Sequence, residues 1–350
     1  MLKKIGIALS GGVDSTVSAA LLKKQGYAVH GFFMHLPLSG VEQHIDRVES
    51  VARRLDIPLF LIDIRHFFRK KVIDYFVSTY LQGRTPNPCV ICNREIKFGR
   101  LMEEMRRRGM DKMATGHYAR IASRPDGRPL LKKGRDPKKD QSYFLCRLSP
   151  DQLEHVILPL GEKTKEEVYR IAAEMQLAGV HGQESQDICF LAGRTVAGFF
   201  ADQGIAEQPG DIVTAAGESI GTHRGLWHYT VGQRRGLNLP DATPWYVREL
   251  DARHNRIIVC KEQDLITSKV RVTDVRWSEG SPPLPWQGQV RIRGRHRPGP
   301  ATVDLTDGEW TVTFQEHQRA VTPGQFAVFY QDDTVQGSAI IADSGSTRKT

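Results

Sequence analysis

The sequence lacks the features of a membrane protein and of a secreted disulfide scaffold. It contains no apolar run near the ~18 residues that a membrane-spanning helix requires, and no internal repeat or low-complexity segment. Its five cysteines are an odd number, and two of them form a Cys-x-x-Cys pair. The first residues lead through a very short apolar stretch into Gly11 and Gly12, which predicts a first strand and not a signal peptide. We therefore expect a cytoplasmic protein with reactive thiols and no membrane association.

Positive charge is in excess and is unevenly distributed. The 350 residues include 49 Lys and Arg against 40 Asp and Glu, a net charge of +9. Residues 84–139 alone contain 16 basic and 6 acidic side chains, a net charge of 16 − 6 = +10. A second basic cluster spans residues 291–297. Such clusters suit a polyanion, because each neutralised phosphate releases counterions. A solvated basic surface would explain the same charges, so charge alone assigns no partner.

The order of apolar patterns predicts an α/β domain followed by β structure. Short apolar runs alternate with helical patterns over about the first 205 residues, which is typical of a parallel sheet with crossover helices. Beyond about Ala206, short strand-like runs recur between Gly, Pro and Asp, which is typical of small β modules or barrels. The sequence predicts an α/β domain over 1–205, a small central β module over 206–268 and a C-terminal β-barrel over 269–345.

A glycine-rich turn follows the first predicted strand and opens a helix predicted over 13–24. Residues 10–15 read SGGVDS, without the lysine of the ordinary phosphate-binding loop. Free N–H groups and the helix dipole would face an anion there, and the two glycines allow close backbone approach. Ser10 and Ser15 offer hydroxyl donors, and Asp14 would either hold Mg²⁺ or cap the turn.

This turn resembles the motif of the PP-loop ATP pyrophosphatases, which split ATP between its α- and β-phosphates and adenylate a carbonyl oxygen. The resemblance implies a fold like that of the adenine nucleotide alpha hydrolases, with ATP and Mg²⁺ bound. The residues that it assigns to ATP are Leu9, Ser10, Gly11, Gly12, Val13, Asp14, Ser15, Thr16, Met34 and Gly116. For Met34, packing in the core is as good an explanation as contact with adenine.

Residues 83–98 place two thiols in one basic segment. Pro86 and Pro88 stiffen the approach to Cys89 and Cys92, so we expect both cysteines on a defined loop just before a helix. A thiol near a helix N-terminus and close to basic side chains ionises easily, which suits a nucleophile. A Cys-x-x-Cys is also half of many metal sites or a redox pair, but the sequence contains no second one.

The other three cysteines lie far along the chain. Cys189 follows an acidic and polar stretch and is a further candidate thiol. Cys146 and Cys260 lie in apolar surroundings, which predicts buried packing residues.

Six motifs in chain order resemble those of the bacterial tRNA-specific 2-thiouridylases. They are residues 10–15, 85–98, 114–120, 139–143, 185–190 and 229–237. The matches run from residue 5 to about residue 330, so the resemblance covers nearly the whole chain. It implies ATP-dependent insertion of sulfur at the wobble uridine of tRNA.

The resemblance also implies roles for individual residues. ATP adenylates O2 of the uracil, a sulfur-relay protein delivers a persulfide to Cys189, and its terminal sulfur attacks C2. Cys92 is the partner nucleophile, and a reductant reopens the resulting Cys92–Cys189 disulfide. Because chemistry on a base requires its removal from the stack, the flipped-out uracil would meet Asn87, Pro88 and Cys89. The positions expected to touch tRNA are His117, Lys139, Asp140, Gln141, Arg291, Ile292 and Gln325; for His117 a purely structural role stays open.

Two departures from the family pattern leave alternatives open. Many members have Asp where this chain has Cys89, and the thiol gives three candidate ligands, Cys89, Cys92 and Cys189, for an iron–sulfur cluster. Such a cluster would carry the sulfur without a persulfide on Cys189. Residues 34–45 form a shorter segment after the second strand than is usual, which leaves the adenine contacts open.

Two other functions would account for part of the sequence. Another PP-loop adenylating ligase or amidotransferase would explain residues 10–15, but not the paired cysteines or the basic excess. A non-catalytic RNA-binding protein with a structural metal at Cys89 and Cys92 would explain the charge, but not the phosphate loop.

Overall fold

The computed structural model describes residues 2–38, 40–177 and 188–343. None of the helices in these ranges combines the length and apolarity needed to cross a bilayer. The chain divides into two compact units, each assembled from separate stretches of sequence. The first comprises Met1–Val72, Cys89–Ala192 and Asp333–Val335, and the second comprises Ile73–Pro88, Gly193–Asp332 and Gln336–Thr350.

A five-stranded parallel sheet forms the centre of the first unit, as predicted. Its strand order is β3-β2-β1-β4-β7. Outside this sheet β5 pairs antiparallel with β6, and Lys132 of β6 pairs with Thr334. The strands are β1 (Lys4–Ala8), β2 (Ala28–His35), β3 (Leu59–Asp63), β4 (Lys112–Ala114), β5 (Ala119–Ser123), β6 (Pro129–Lys133) and β7 (Val156–Ile157).

Helices cover this sheet because their apolar faces need a partner. Leu22 of the first helix and Val48 and Val51 of the second pack with Ile5 and Ile7 of β1 in one buried core. The α-helices of the chain are α1 (Val13–Lys24), α2 (Val41–Leu55), α3 (Arg65–Phe68), α4 (Asp74–Leu81), α5 (Pro88–Ile91), α6 (Met102–Arg107), α7 (Pro150–Glu154), α8 (Lys165–Glu174) and α9 (Val196–Asp202).

Two π-helical segments interrupt the predicted helical pattern. Arg69–Ile73 joins α3 to α4, so the helical stretch over residues 65–81 is not continuous α-helix. Cys92–Leu101 joins α5 to α6. The prediction that both cysteines lie on a loop just before the helix is therefore wrong, because the helix already begins at Pro88. Proline is well tolerated at the first helical position, where its missing N–H would have had no partner.

The second unit contains two β structures. A small four-stranded sheet has the order β10-β11-β8-β9, and a six-stranded antiparallel barrel is closed by pairing of β12 with β17. The barrel core is almost entirely aliphatic and aromatic, including Val270, Val290 and Phe329. The predicted β-barrel is confirmed. The strands are β8 (Gly210–Thr214), β9 (Ser219–His223), β10 (Tyr246–Asp251), β11 (Arg256–Cys260), β12 (Ile266–Trp277), β13 (Trp286–Arg291), β14 (Gly299–Thr306), β15 (Glu309–Arg319), β16 (Phe326–Gln331) and β17 (Thr334–Asp343).

The short stretch Asp333–Val335 belongs to the first unit although it lies near the end of the chain. The Asp333 carboxylate accepts a hydrogen bond from Arg120 Nη2 at 2.6 Å and lies 3.1 Å from Lys132 Nζ. The main-chain carbonyl of Asp333 accepts a further bond, of 2.7 Å, from the N–H of Lys133. These contacts complete the edge of the β5–β6 pair.

Candidate active site

The SGGVDS loop, residues 10–15, lies where the order of the parallel sheet reverses. It connects β1 to α1, and Gly116 follows the end of β4, the neighbour of β1. β2 and β4 lie on opposite sides of β1, so the connections diverge there and leave a crevice at the carboxyl ends of the strands. Open α/β sheets bind their ligands at such a switch point.

Hydrogen bonds within the loop hold it in shape. The N–H of Ser10 donates to Ser15 Oγ at 3.2 Å, and the hydroxyls of Ser15 and Thr16 donate to the carbonyl of Gly12 at 3.1 and 2.9 Å. Gly11 has φ 75°, a conformation that glycine adopts without strain. No side chain caps α1 at Gly12, so a bound anion can take the N–H groups of the first turn.

Gly116 lies directly against this loop. A Cβ atom at this position would stand 2.8 Å from the carbonyl carbon of Asp14 and 2.9 Å from the nitrogen of Ser15, closer than such atoms can approach. The structure therefore brings Gly116, which is predicted to bind ATP, beside the predicted ATP-binding loop of residues 10–15. Met34 is half-buried on β2, opposite Ile62, and both explanations for it stay open.

Asp14 is the centre of a charged cluster that the sequence does not reveal. Lys165 Nζ lies 2.8 and 2.9 Å from the two Asp14 carboxylate oxygens, and the hydroxyl of Tyr118 donates to Oδ1 at 2.7 Å. Lys165 is only 6% exposed. It opens α8, whose N-terminal capping box between Thr164 and Glu167 fixes the start of the helix. The capping box is visible in the sequence, but nothing local points to a partner 151 residues away.

The three candidate thiols share one electrostatic environment in the first unit. The charge of Cys189 contributes to raising the pKa of Cys89 and of Cys92, and Lys97 lowers the pKa of all three thiols. All three cysteines are free; Cys89 and Cys189 are exposed, and Cys92 is half-buried. Residues 185–187 of the motif before Cys189 lie outside the described residues.

The expectation that these thiols ionise easily is wrong. Crowding by the surrounding protein desolvates the sulfur of Cys92 and raises its pKa to about 12, although Lys97 acts in the opposite direction. Desolvation is also the first cause of the raised pKa of Cys89 and Cys189. At neutral pH the Cys92 side chain is therefore a thiol and not a thiolate.

The three cysteines do not form a ready metal site. Among residues 2–38, 40–177 and 188–343, no group of three or more His, Cys, Asp or Glu side chains is arranged to hold a metal ion. The iron–sulfur cluster on Cys89, Cys92 and Cys189 therefore stays a prediction. Cys146 and Cys260 are buried, as expected for packing residues.

The predicted base contact Asn87 and the predicted tRNA contact Gln325 are bonded to each other within the second unit. Asn87 Nδ2 donates to Gln325 Oε1 at 3.3 Å, and Gln325 Nε2 donates to the carbonyls of Thr85 and Pro86 at 3.0 and 2.9 Å. Pro88, the other predicted base contact besides Cys89, is buried at the start of α5.

His117 is buried and held by its neighbours. Its Nδ1 lies 2.7 Å from Thr115 Oγ1, and its ring packs against Phe98 at a centroid distance of 5.6 Å. Burial, with a smaller contribution from the charge of Lys97, holds the pKa of His117 well below its usual value. The neutral, packed ring supports the structural alternative, and its contact with tRNA stays a prediction.

Residues 139–141, also expected at the tRNA, form a braced turn. The N–H of Tyr118 donates to Gln141 Oε1 at 2.9 Å, and the N–H of Gln141 donates to the carbonyl of Tyr118 at 2.8 Å. The Asp140 carboxylate accepts from the N–H groups of Gly134 and Ser142, at 3.0 Å each. Lys139 is half-buried.

The C-terminal basic cluster, residues 291–297, is only partly available to a partner. Arg291 Nε donates to the carbonyl of Arg293 at 3.2 Å, and its Nη2 donates to the carbonyl of Gly294. Ile292 is 1% exposed and belongs to the barrel core, so only its main chain could touch tRNA. Arg295 and Arg297 are exposed.

The fold and the loop define a nucleotide-binding α/β domain joined to β modules, and comparison with known proteins gives the family. Three family profiles match in order: "tRNA methyl transferase HUP domain" over residues 3–193, "tRNA methyl transferase PRC-barrel domain" over 199–261 and "Aminomethyltransferase beta-barrel domain" over 267–341.

Curated relatives match over the full length. The chain is 44% identical over 347 residues to the tRNA-specific 2-thiouridylase MnmA of Trichlorobacter lovleyi, covering 97% of this chain and 98% of the relative. It is 44% identical over 345 residues to that of Desulfotalea psychrophila, covering 97% and 100%. For Clostridium perfringens the identity is 38% over 353 residues, covering 97% and 98%. The chain belongs to the family of tRNA-specific 2-thiouridylases, as its motifs predicted.

Proposed function

We propose that this protein uses ATP to replace O2 of the wobble uridine of tRNA with sulfur, and that Cys189 and Cys92 carry out the transfer. Membership of the 2-thiouridylase family supports the reaction. The observation that carries the assignment of residues is the position of the free cysteines Cys89, Cys92 and Cys189 in the same compact unit as the phosphate loop.

The phosphate loop would bind ATP as a substrate. The N–H groups of the first turn of α1 would bind the phosphates, and the hydroxyls of Ser10 and Ser15, 3.2 Å apart in the loop, would add donors. Gly116 lets the chain after β4 lie directly against the main chain of Asp14 and Ser15. Mg²⁺ takes most of its ligands from phosphates and water, so the single carboxylate of Asp14 fits such an ion without a dedicated cage. Lys165 balances the charge of that carboxylate.

The chemistry then proceeds in two balanced steps. Uracil O2 attacks the α-phosphate of ATP and pyrophosphate leaves. The terminal sulfur of a persulfide on Cys189 attacks C2, and Cys92 attacks the inner sulfur of Cys189. The S–S bond breaks, the terminal sulfur stays on C2, and AMP leaves with the former O2. The new Cys92–Cys189 disulfide needs two electrons from a reductant before the next cycle.

Burial raises the pKa of Cys92 to about 12, so this thiol must lose its proton before it attacks the persulfide. Lys97 is the cation that lowers the pKa of all three thiols and would stabilise the thiolate when it forms.

Single-turnover thiolation of tRNA, measured without air, tests the assignment. We expect Cys92→Ser and Cys189→Ser to abolish product, Cys89→Ser to slow it, and Cys89→Asp to be tolerated. Cys260→Ala, which removes a buried thiol of the second unit, is the matched control and stays active. Each variant is assayed with and without reconstituted iron and sulfide.

Three outcomes would contradict the proposal. Complete dependence on iron, lost equally in all three serine variants, would replace the persulfide by an iron–sulfur cluster. Pyrophosphate release from ATP without tRNA would instead identify another adenylating ligase, and the absence of any release would identify an RNA-binding protein without catalysis.

A further inference from the structure

The segment of residues 85–87 leads directly into the helix that carries Cys89 and Cys92. It has no regular secondary structure, and Pro86 and Pro88 on either side of Asn87 have no N–H to donate. The carbonyls of such a segment need partners from elsewhere, because buried main-chain polar groups are almost always bonded. Asn87 and Pro86 are buried.

Those partners come from one turn of the second unit, residues 323–325. The N–H of Thr85 donates to the carbonyl of Pro323 at 2.9 Å. The Gln325 amide donates to the carbonyls of Thr85 and Pro86 and accepts from the side chain of Asn87. A primary amide offers two donors and two acceptor sites, so Gln325 uses three of its four positions on this segment.

The turn itself is fixed to the barrel. The N–H of Gly324 donates to the carbonyl of Ile341 on β17, and the N–H of Ile341 donates back to the carbonyl of Gln325, both at 2.9 Å. Gly324 has φ 90°, and a Cβ atom there would stand 2.7 Å from the carbonyl oxygen of Thr85. The glycine therefore permits the close approach that brings the Gln325 amide to the segment.

We propose that Gln325 is a positioning residue for the cysteine-bearing segment: its amide fixes the path of residues 85–87 and thereby the placement of Cys89 and Cys92. This inference rests on the proposed function, because the placement of these thiols sets the rate of sulfur transfer only if they carry out that transfer. It differs from a role in tRNA contact alone, since the three bonds of Gln325 are made within the protein.

The test uses the full chain with Gln325→Glu, Gln325→Met and Gly324→Ala. Glutamate has the shape of glutamine but cannot donate to the two carbonyls, methionine removes the amide without adding charge, and Gly324→Ala disturbs the same contact from the next residue. The control is Gln287→Glu, an exposed position on β13 with the same change of charge. Each protein is checked for folding by circular dichroism.

Two measurements separate positioning from tRNA contact. Iodoacetamide alkylation of Cys92 is followed by peptide mass spectrometry without tRNA or ATP, and thiolation is followed at saturating tRNA. Loosening the segment should expose the half-buried thiol and raise its alkylation rate about fivefold. The same change should lower kcat by about tenfold through misplacement, with little change in the Kd for tRNA. Gln287→Glu should leave the alkylation rate and kcat as in the wild type.

The opposite pattern overturns the inference. If the Gln325 variants weaken tRNA binding while the alkylation rate and kcat stay at wild-type values, Gln325 touches tRNA and positions nothing. If Gln325→Glu does not fold, Gln325→Met and Gly324→Ala decide by the same two measurements. A wild-type protein that makes no 2-thiouridine would refute the proposed function, and the alkylation rates would still decide whether Gln325 holds the segment.

Discussion

The ammonium group of Lys165 lies 2.8 and 2.9 Å from the two carboxylate oxygens of Asp14, although 151 residues separate them in the chain. Ordinary phosphate-binding loops carry their own lysine, and this loop has none. Here a buried lysine from the first position of α8 meets the loop at its acidic residue. The two side chains neutralise each other at the loop proposed to bind ATP.

Removing both members of this pair should cost less than the sum of the two single removals. We expect Asp14→Asn and Lys165→Met each to lower the free energy of unfolding by about 1–3 kcal/mol, because each breaks a charge-assisted pair whose lysine is buried. The double variant should lose less than the sum of the two, as measured by urea unfolding. ATP-dependent thiolation should be lost in all three, with tRNA binding retained. Lys163→Met, two residues away, is the control, and strict additivity would contradict the coupling.

Adding a single methyl group at Gly116 should displace the phosphate loop. Gly116→Ala puts a Cβ atom within 2.9 Å of the main chain of Asp14 and Ser15, so the loop must move. We expect the affinity for ATP to fall by about tenfold or more, which corresponds to about 1.4 kcal/mol, and the affinity for tRNA to stay unchanged. Equilibrium binding of ATP measures this. Gly198→Ala, in α9, is the control; equal affinities in both variants would remove Gly116 from the site.

The reactivity of Cys92 should keep rising with pH well beyond the range of an ordinary thiol. Because its pKa is raised to about 12, the thiolate fraction increases throughout the alkaline range. We expect the alkylation rate of Cys92 to rise about tenfold per pH unit between about pH 7 and 10, without a plateau. Since Lys97 lowers this pKa, Lys97→Met should reduce the rate at every pH. A plateau near pH 8.5 would show an unperturbed thiol.

The exposed arginines of the C-terminal basic cluster should account for part of the salt dependence of tRNA binding. Arg291 is bonded to main-chain carbonyls of its own loop, whereas Arg295 and Arg297 are exposed. The double variant Arg295→Gln/Arg297→Gln should bind tRNA more weakly and should reduce the slope of log K against log salt by about 1.5. Filter binding across a salt series measures this slope. An unchanged slope would mean that the two arginines form only a solvated surface.

Local patterns predicted much of the fold. The helix expected over 13–24 is α1, because a glycine turn precedes it and Gly26 follows its end. The alternation of apolar runs and turn residues also predicted the parallel sheet of the first unit and the barrel of the second. The π-helical segments were not predictable from the sequence. Their hydrogen bonds span five residues and not four, and no pattern of residue types in the sequence indicates this change.

The candidate site was predictable where its residues lie close together in the chain. Residues 10–15 and Cys89 with Cys92 were found from sequence, whereas Lys165 was not. The protonation of Cys92 was predicted wrongly because neighbouring cations are visible in the sequence, but desolvation depends on which distant side chains crowd the sulfur. The pairing of Asn87 with Gln325 is likewise a product of tertiary structure.

The contact of Arg120 and Lys132 with Asp333 has a consequence for biosynthesis. A ribosome makes the chain from its N-terminus, so these two cations emerge about two hundred residues before the carboxylate that they meet. During that interval the parallel sheet can form, but the β5–β6 pair has no Asp333 to complete it. The first unit therefore begins to be translated early, but its contacts are complete only after Asp333 has been made. A messenger truncated before codon 333 would encode a first unit without this carboxylate.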